Sequence, residues 1–238
     1  METIYLQLYS LGQYGEQHPM KENLKEVAQM GYDGVEFAGN NYGGLSAEEL
    51  KAELAANHLG CRSVHLGMND IVPTLPFLKE IGCQYAIVAM HDFSNMEETL
   101  DCARQLNEAA KEAAKYGIKV GYHNHNHEFK KIDGKYILDI IAENTSDDVV
   151  LELDVYWVHN GGENPVEYIK KWGSKVELIH CKQVGGNGTD VDIPDGIIDM
   201  KKVIEAAKYA KYFIVEQEAF DKPIWESMQR NVDYLKSL

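Results

Sequence analysis

Short apolar runs rich in β-branched and aromatic residues recur along the chain, each followed by a longer stretch whose apolar positions return every three to four residues. The short runs predict strands over 3–8, 34–37, 61–65, 85–90, 119–123, 149–154, 176–181 and 212–217. The longer stretches read as amphipathic helices. SAEELKAELAANHLG sets Ser46 and Glu49 in capping-box register and closes on Gly60, and SNMEETLDCARQLNEAAKEAAKYG repeats the device with Ser94 and Glu97 before ending at Gly117. Strands alternating with helices imply parallel pairing through right-handed crossovers. Eight such units in 238 residues predict an α/β fold, a (β/α)₈ TIM barrel, with residues 1–238 as a single domain. No GxGxxG follows the first strand, which argues against an open dinucleotide-binding sheet.

Composition narrows the function classes. An apolar fraction of 45% and a charged fraction of 26% are those of an ordinary globular protein. A net charge of -15 without a local basic patch opposes nucleic acid and anionic membrane as partners. Cys61, Cys83, Cys102 and Cys181 lack CxxC spacing and read as buried reduced thiols, neither a disulfide framework nor a thiolate metal site. The start METIYLQLYS has no signal-peptide pattern, and no apolar run is long enough to span a bilayer, so the expected location is cytoplasmic.

In barrels of this type the reactive groups sit where the strands end, at the C-terminal mouth. Reading the last positions of each predicted strand gives Glu36, His65, His91, His123 with His125, Asp154, His180, and Glu216 with Glu218. Any one of these alone would pass as a turn residue. Together they are harder to dismiss, because five of the nine histidines fall in this one ring. Imidazoles and carboxylates converging on one rim suit one divalent metal ion (Mn²⁺, Mg²⁺, Co²⁺ or Zn²⁺). The run GGNGTD at 185–190 has neither GK[ST] nor an immediate helix, so it reads as a mobile loop able to close over the mouth, not a phosphate cradle.

HNH within VGYHNHNHEF, LDVYW followed by HNGG, LIHCK, DGIIDM and IVEQE, in this order and spacing, resemble the xylose isomerase-like TIM barrels that include sugar phosphate isomerases and epimerases and are related to the family 2 AP endonucleases. The resemblance implies metal ligation by Asp154, His180 and Glu216, with His123 standing where relatives carry a glutamate. It implies substrate contacts from Glu36, His65, His91, Trp157 and Lys182. It also implies a metal-dependent sugar isomerase or epimerase, with manganese among the expected metals, passing through an enediolate on a small sugar or polyol. Glu216, His123 and His125 are then the candidate catalytic groups, and Glu128 and Glu36 are further candidates for a second carboxylate.

The departure at His123 opens an alternative. A lyase on the same scaffold, of the inosose dehydratase type or cleaving a C-glycoside of an oxidised sugar, needs one proton abstraction and one general acid. A DNA-repair phosphodiesterase would need further zinc ligands and a basic groove, and Trp157 replaces one such ligand. An inert sugar-binding barrel would leave Asp154, His180 and Glu216 without a reason to occur together. A homo-oligomer is compatible with the sequence.

Overall fold

The computed structural model describes residues 3–238, apart from the side chain of Gln13; the first two residues of METIYLQLYS and of the predicted 1–238 domain lie outside the described residues. Eight parallel strands close into one barrel: β1 (Ile4–Gln7), β2 (Gly34–Ala38), β3 (Gly60–Leu66), β4 (Tyr85–Val88), β5 (Lys119–His123), β6 (Val149–Asp154), β7 (Val176–Cys181) and β8 (Tyr212–Val215). All eight predicted strands are present, and each pairs with its neighbours in chain order, β8 closing on β1 through Ile4 and Phe213. Around them lie α1 (Gly12–Gln17), α2 (Met20–Gln29), α3 (Ala47–Ala56), α4 (Ile71–Glu80), α5 (Met96–Ala114), α6 (Ile137–Asn144), α7 (Val155–Asn160), α8 (Pro165–Trp172), α9 (Met200–Ala206) and α10 (Ile224–Ser237). A two-stranded hairpin, Lys131–Ile132 with Lys135–Tyr136, decorates the segment after β5.

The capping box at α3 forms as expected, with Ser46 accepting from the Glu49 amide and Glu49 reaching back. At α5 the cap lies one residue further on: Asn95, not Ser94, accepts from the Glu98 amide, and Glu98 bonds back to the Ser94 amide. Asn fills the same role as Ser, so two adjacent candidates compete and local geometry selects one.

The barrel interior is layered. Tyr5, Tyr85, Ile87, Val150, Leu178 and Ile214 form an apolar plug in its lower half. Gly34 makes room for it, since a Cβ there would lie 2.2 Å from the Tyr5 ring. Above the plug the inward positions turn polar: on β6 the alternation runs Val150, Glu152, Asp154. All four cysteines are buried free thiols. Among the described residues no helix is long and apolar enough to cross a membrane.

Candidate functional site

The polar layer opens into a mouth cavity of about 530 Å³ lined by Tyr9, Ala38, Gly39, His65, Ala89, Met90, His123, His125, Trp157, Glu216 and Glu218. A larger open groove, about 700 Å³, lies on the flank between α8 and α9; its lysines include Lys170 and Lys202, already paired with Glu167 and Asp199. It contains none of the residues brought together at the strand ends.

Each side chain at the base of the mouth is placed by its neighbours. Asp154 ends β6 and caps α7: Oδ1 accepts from the Trp157 amide at 3.0 Å, which leaves Oδ2 free. Asn124, the centre of the HNH motif, braces Asp154 from just past the end of β5 by accepting from its amide at 3.0 Å. His123 Nδ1 lies 3.2 Å from the Ala89 carbonyl oxygen, an acceptor only, so this nitrogen carries the proton and Nε2 presents its lone pair. Burial, then His180 and His65, hold His123 neutral, with its pKa well below the ordinary range.

His180 stands between two carboxylate layers. Its Nδ1 lies 2.9 Å from Glu216 Oε2 and 3.8 Å from Asp154 Oδ2, while its Nε2 lies 2.9 Å from Glu36 Oε1 and 3.3 Å from Glu152 Oε2. Burial opposes a charged ring there, yet Glu152 and Glu36 raise its pKa well above normal. Below it, His65 Nε2 contacts Glu152 at 2.5 Å and Glu36 at 3.2 Å, and Gln7 Nε2 donates to Glu36 at 2.7 Å. Burial opposes ionisation of Glu36, but His65 and His180 hold it down to about 2. Burial and Glu36 push Glu152 up to about 7. Burial raises Asp154 to about 6 against the pull of Lys182.

His123, Asp154, His180 and Glu216 are all buried, and their ligating atoms lie within 4.8 Å of one another. His123 Nε2 and Asp154 Oδ2 have no hydrogen-bond partner among the described residues. Buried polar atoms are rarely left so, and a set of imidazole and carboxylate donors around two such atoms fits a divalent cation of the Mn²⁺, Mg²⁺, Co²⁺ or Zn²⁺ kind. A second group, His65, His123, Glu152 and His180, shares two members with the first.

Other predicted residues fall elsewhere. Glu36 is fully buried beneath His180 and is not part of the mouth lining. His91 is also outside the lining; its ring packs edge-on against Phe93 and its carbonyl faces His127, while Met90 takes the mouth position. Lys182 is 1% exposed, ion-paired with Glu218, its Nζ 5.1 Å from the Trp157 ring centre. β5 stops at His123, as predicted, and His125 and His127 belong to the following turn. His125 still reaches the mouth, because Glu128 Oε2 accepts from its amide and curls the turn. Glu128, read as a candidate second carboxylate, is consumed in that role, its other oxygen accepting from Tyr122. Burial, then His123, depress His125 to about 3, and its Nδ1 is unpartnered among the described residues. The 185–190 segment forms a tight turn, bridged by Val184 and Asp190, and Asp190 accepts from the Glu218 amide at 2.6 Å. That tether, where a mobile cover was expected, fixes it to the loop after β8.

Glu152 escaped the strand-end reading because it lies two residues inside β6. The signal was available: it has the parity of Asp154.

Three comparisons set this geometry among known proteins. The chain is 25% identical over 194 residues to the rhizopine catabolism protein MocC of Rhizobium meliloti, covering 71% of this chain and 59% of that protein. It is 24% identical over 201 residues to an inosose dehydratase of Clostridium botulinum, covering 71% of this chain and 65% of the relative. The chain thus spans less than two thirds of the length of these curated relatives. A crystal structure of a sugar phosphate isomerase/epimerase from Parabacteroides distasonis superposes with a TM-score of 0.88 at 25% identity, covering 100% of this chain and 99% of that one. The xylose isomerase-like TIM barrel family matches residues 24–238, and the chain belongs to that family.

Proposed function

We propose that the protein is a divalent-metal-dependent sugar isomerase or epimerase working at the barrel mouth, with His123, Asp154, His180 and Glu216 holding the metal. The carrying observation is the pair of unpartnered buried atoms, His123 Nε2 and Asp154 Oδ2, within a four-residue donor set at the cavity floor. A cation bound there would act as a Lewis acid on adjacent sugar oxygens. Glu216, ionised through its contact with His180 and its nearness to Lys182, is the carboxylate placed to take a proton from carbon next to a carbonyl. His125, neutral and with Nδ1 free, is placed to deliver or accept a proton from another side. His65 and Trp157 line the cavity as substrate contacts. The Parabacteroides structure and the family match support this reading.

One observation favours a second reading, a lyase. Among the described residues the carboxylates that line the mouth are Glu216 and the lysine-paired Glu218, so one side of a bound sugar meets imidazoles and not a second carboxylate. An elimination needs that one base and one acid. The inosose dehydratase relative supports this alternative.

The test is metal analysis of the purified protein, then proton NMR in deuterated water with a panel of ketoses, inososes and 3-keto sugars. Exchange at one carbon without loss of water or aglycone is the expected result. An enone product would select the lyase, and absence of both metal and exchange would reject the proposal.

A further inference from the structure

The loops after the seventh and eighth strands of such barrels frequently build a phosphate site from backbone amides and basic side chains. Here those loops carry Asp190, Asp192 and Glu218. The Glu218 amide, a donor of the kind that would meet a phosphate, is taken by Asp190 at 2.6 Å. Lys182 is held by Glu218, and Lys222 is engaged by Asp192 and Asp195. The three arginines of the chain are also committed: Arg62 donates to the Gly82 carbonyl, Arg104 pairs with Asp101 and Glu108 on α5, and Arg230 pairs with Asp192 and Asp195. A dianion entering this mouth would meet carboxylates and no free cation among the described residues.

The rim has the opposite chemistry. Tyr9 is 59% exposed and Met90 is 56% exposed, both lining the mouth with the half-buried Trp157. Large apolar side chains held in water at the opening of a polar cavity mark a surface that a ligand covers. The floor is polar and suits hydroxyl and carbonyl oxygens; the rim offers an aromatic ring, an indole and a thioether.

We propose that the mouth takes an unphosphorylated sugar whose far end carries an apolar, ring-sized substituent, packed on Tyr9, Met90 and Trp157. This rests on the sugar-active reading above and narrows it to neutral sugars bearing an apolar substituent, with the reacting carbonyl elsewhere on the ring where the anomeric carbon is locked as a glycoside, setting sugar phosphates aside.

The experiment is binding without turnover. The metal-loaded protein is titrated with free hexoses, their phenyl glycosides and their 6-phosphates (glucose, galactose and mannose series), with ligand-observed NMR or calorimetry as the readout. The expected order is phenyl glycoside about tenfold tighter than free hexose, from apolar burial, and hexose 6-phosphate at least about tenfold weaker, from charge repulsion. In Tyr9→Ser and Met90→Ser the ratio of phenyl glycoside to free hexose affinity falls about tenfold. Equal or tighter binding of the 6-phosphates overturns this inference and leaves the sugar-active reading standing. So does an unchanged ratio in both variants. A fall in oligomeric state in either variant would put a second copy of the chain on the rim and also overturn it. No binding by any member of the panel overturns both.

Discussion

The barrel buries ionisable groups at both of its ends, and the two ends treat them differently. At the N-terminal end Glu177 is surrounded: Oε1 meets Lys119 at 2.5 Å, and Oε2 accepts from Tyr85 at 2.6 Å and Lys211 at 2.9 Å. At the mouth four buried carboxylates, Glu36, Glu152, Asp154 and Glu216, face one fixed cation, Lys182, which already serves Glu218. Of these, Glu36 Oε2, Glu152 Oε1 and Asp154 Oδ2 have no partner among the described residues, and neither has His123 Nε2. A carboxylate completed by its own chain stabilises the fold. One left incomplete costs stability, and its persistence points to an external cation or ligand that completes it.

The largest test of that contrast removes mouth carboxylates. Asp154→Ala and Glu216→Ala should each reduce metal content of the purified protein to background and abolish turnover. The metal-free variants should stay folded but melt below metal-free wild type, since Asp154 also caps α7 and Glu216 also contacts His180 beside Lys182. Elemental analysis and thermal melts measure both; full metal occupancy in the two variants would reject the ligand assignment.

A smaller effect separates the layers within the mouth. Were a cation to displace the Nδ1 proton that His180 shares with Glu216, the Nε2–H directed at Glu36 and Glu152 would fix the tautomer that turns Nδ1 toward Asp154 and Glu216. Glu152→Gln should weaken metal binding by about 10- to 100-fold, measured by competition with a chromophoric chelator, without unfolding the chain. Unchanged affinity would make Glu152 a passive filler of the barrel.

The two ends also differ in how much the sequence reveals. Strands were legible because each is a run of four to seven mostly apolar residues between polar punctuation, a pattern that buried parallel strands impose. Their ends were less so: the run expected to reach 217 stops pairing at Val215, whereas the end at His123 falls where it was predicted, Glu128 capturing the His125 amide just beyond it. His123, Asp154, His180 and Glu216 stand at or just past strand ends, where the fold alone gives a charged side chain a purpose. Glu152 sits inside VVLELD, and an acid in such a run is read as the outward member of an alternation. Its parity with Asp154 was the one available signal that it points inward, and barrel closure sets His123 beside Glu152 and Asp154 beside His180 in register. The Glu177 cluster was illegible for a similar reason: Tyr85 and Lys119 begin β4 and β5, Lys211 immediately precedes β8, and the three meet around Glu177 only when the sheet closes.

The smallest effect lies at the lower end, and its pH dependence gives it a sign. Glu177→Gln deletes no volume but removes the charge shared with Lys119 and Lys211; with both lysines substantially solvated, the loss should be about 1 kcal/mol, lowering the melting temperature by about 2–4 °C and leaving metal content intact. Burial opposes ionisation of Glu177, but Lys119, Tyr85 and Lys211 together hold its pKa below the ordinary carboxylate value. A folded pKa below the unfolded one means that the contribution is fully present above the unfolded value of about 4.3 and is lost as pH falls through the folded value. Melts of wild type and Glu177→Gln should therefore differ at pH 7 and converge as the pH drops below about 4. A difference that grew on acidification, or a variant that shed its metal, would break the division between an end that stabilises and an end that binds.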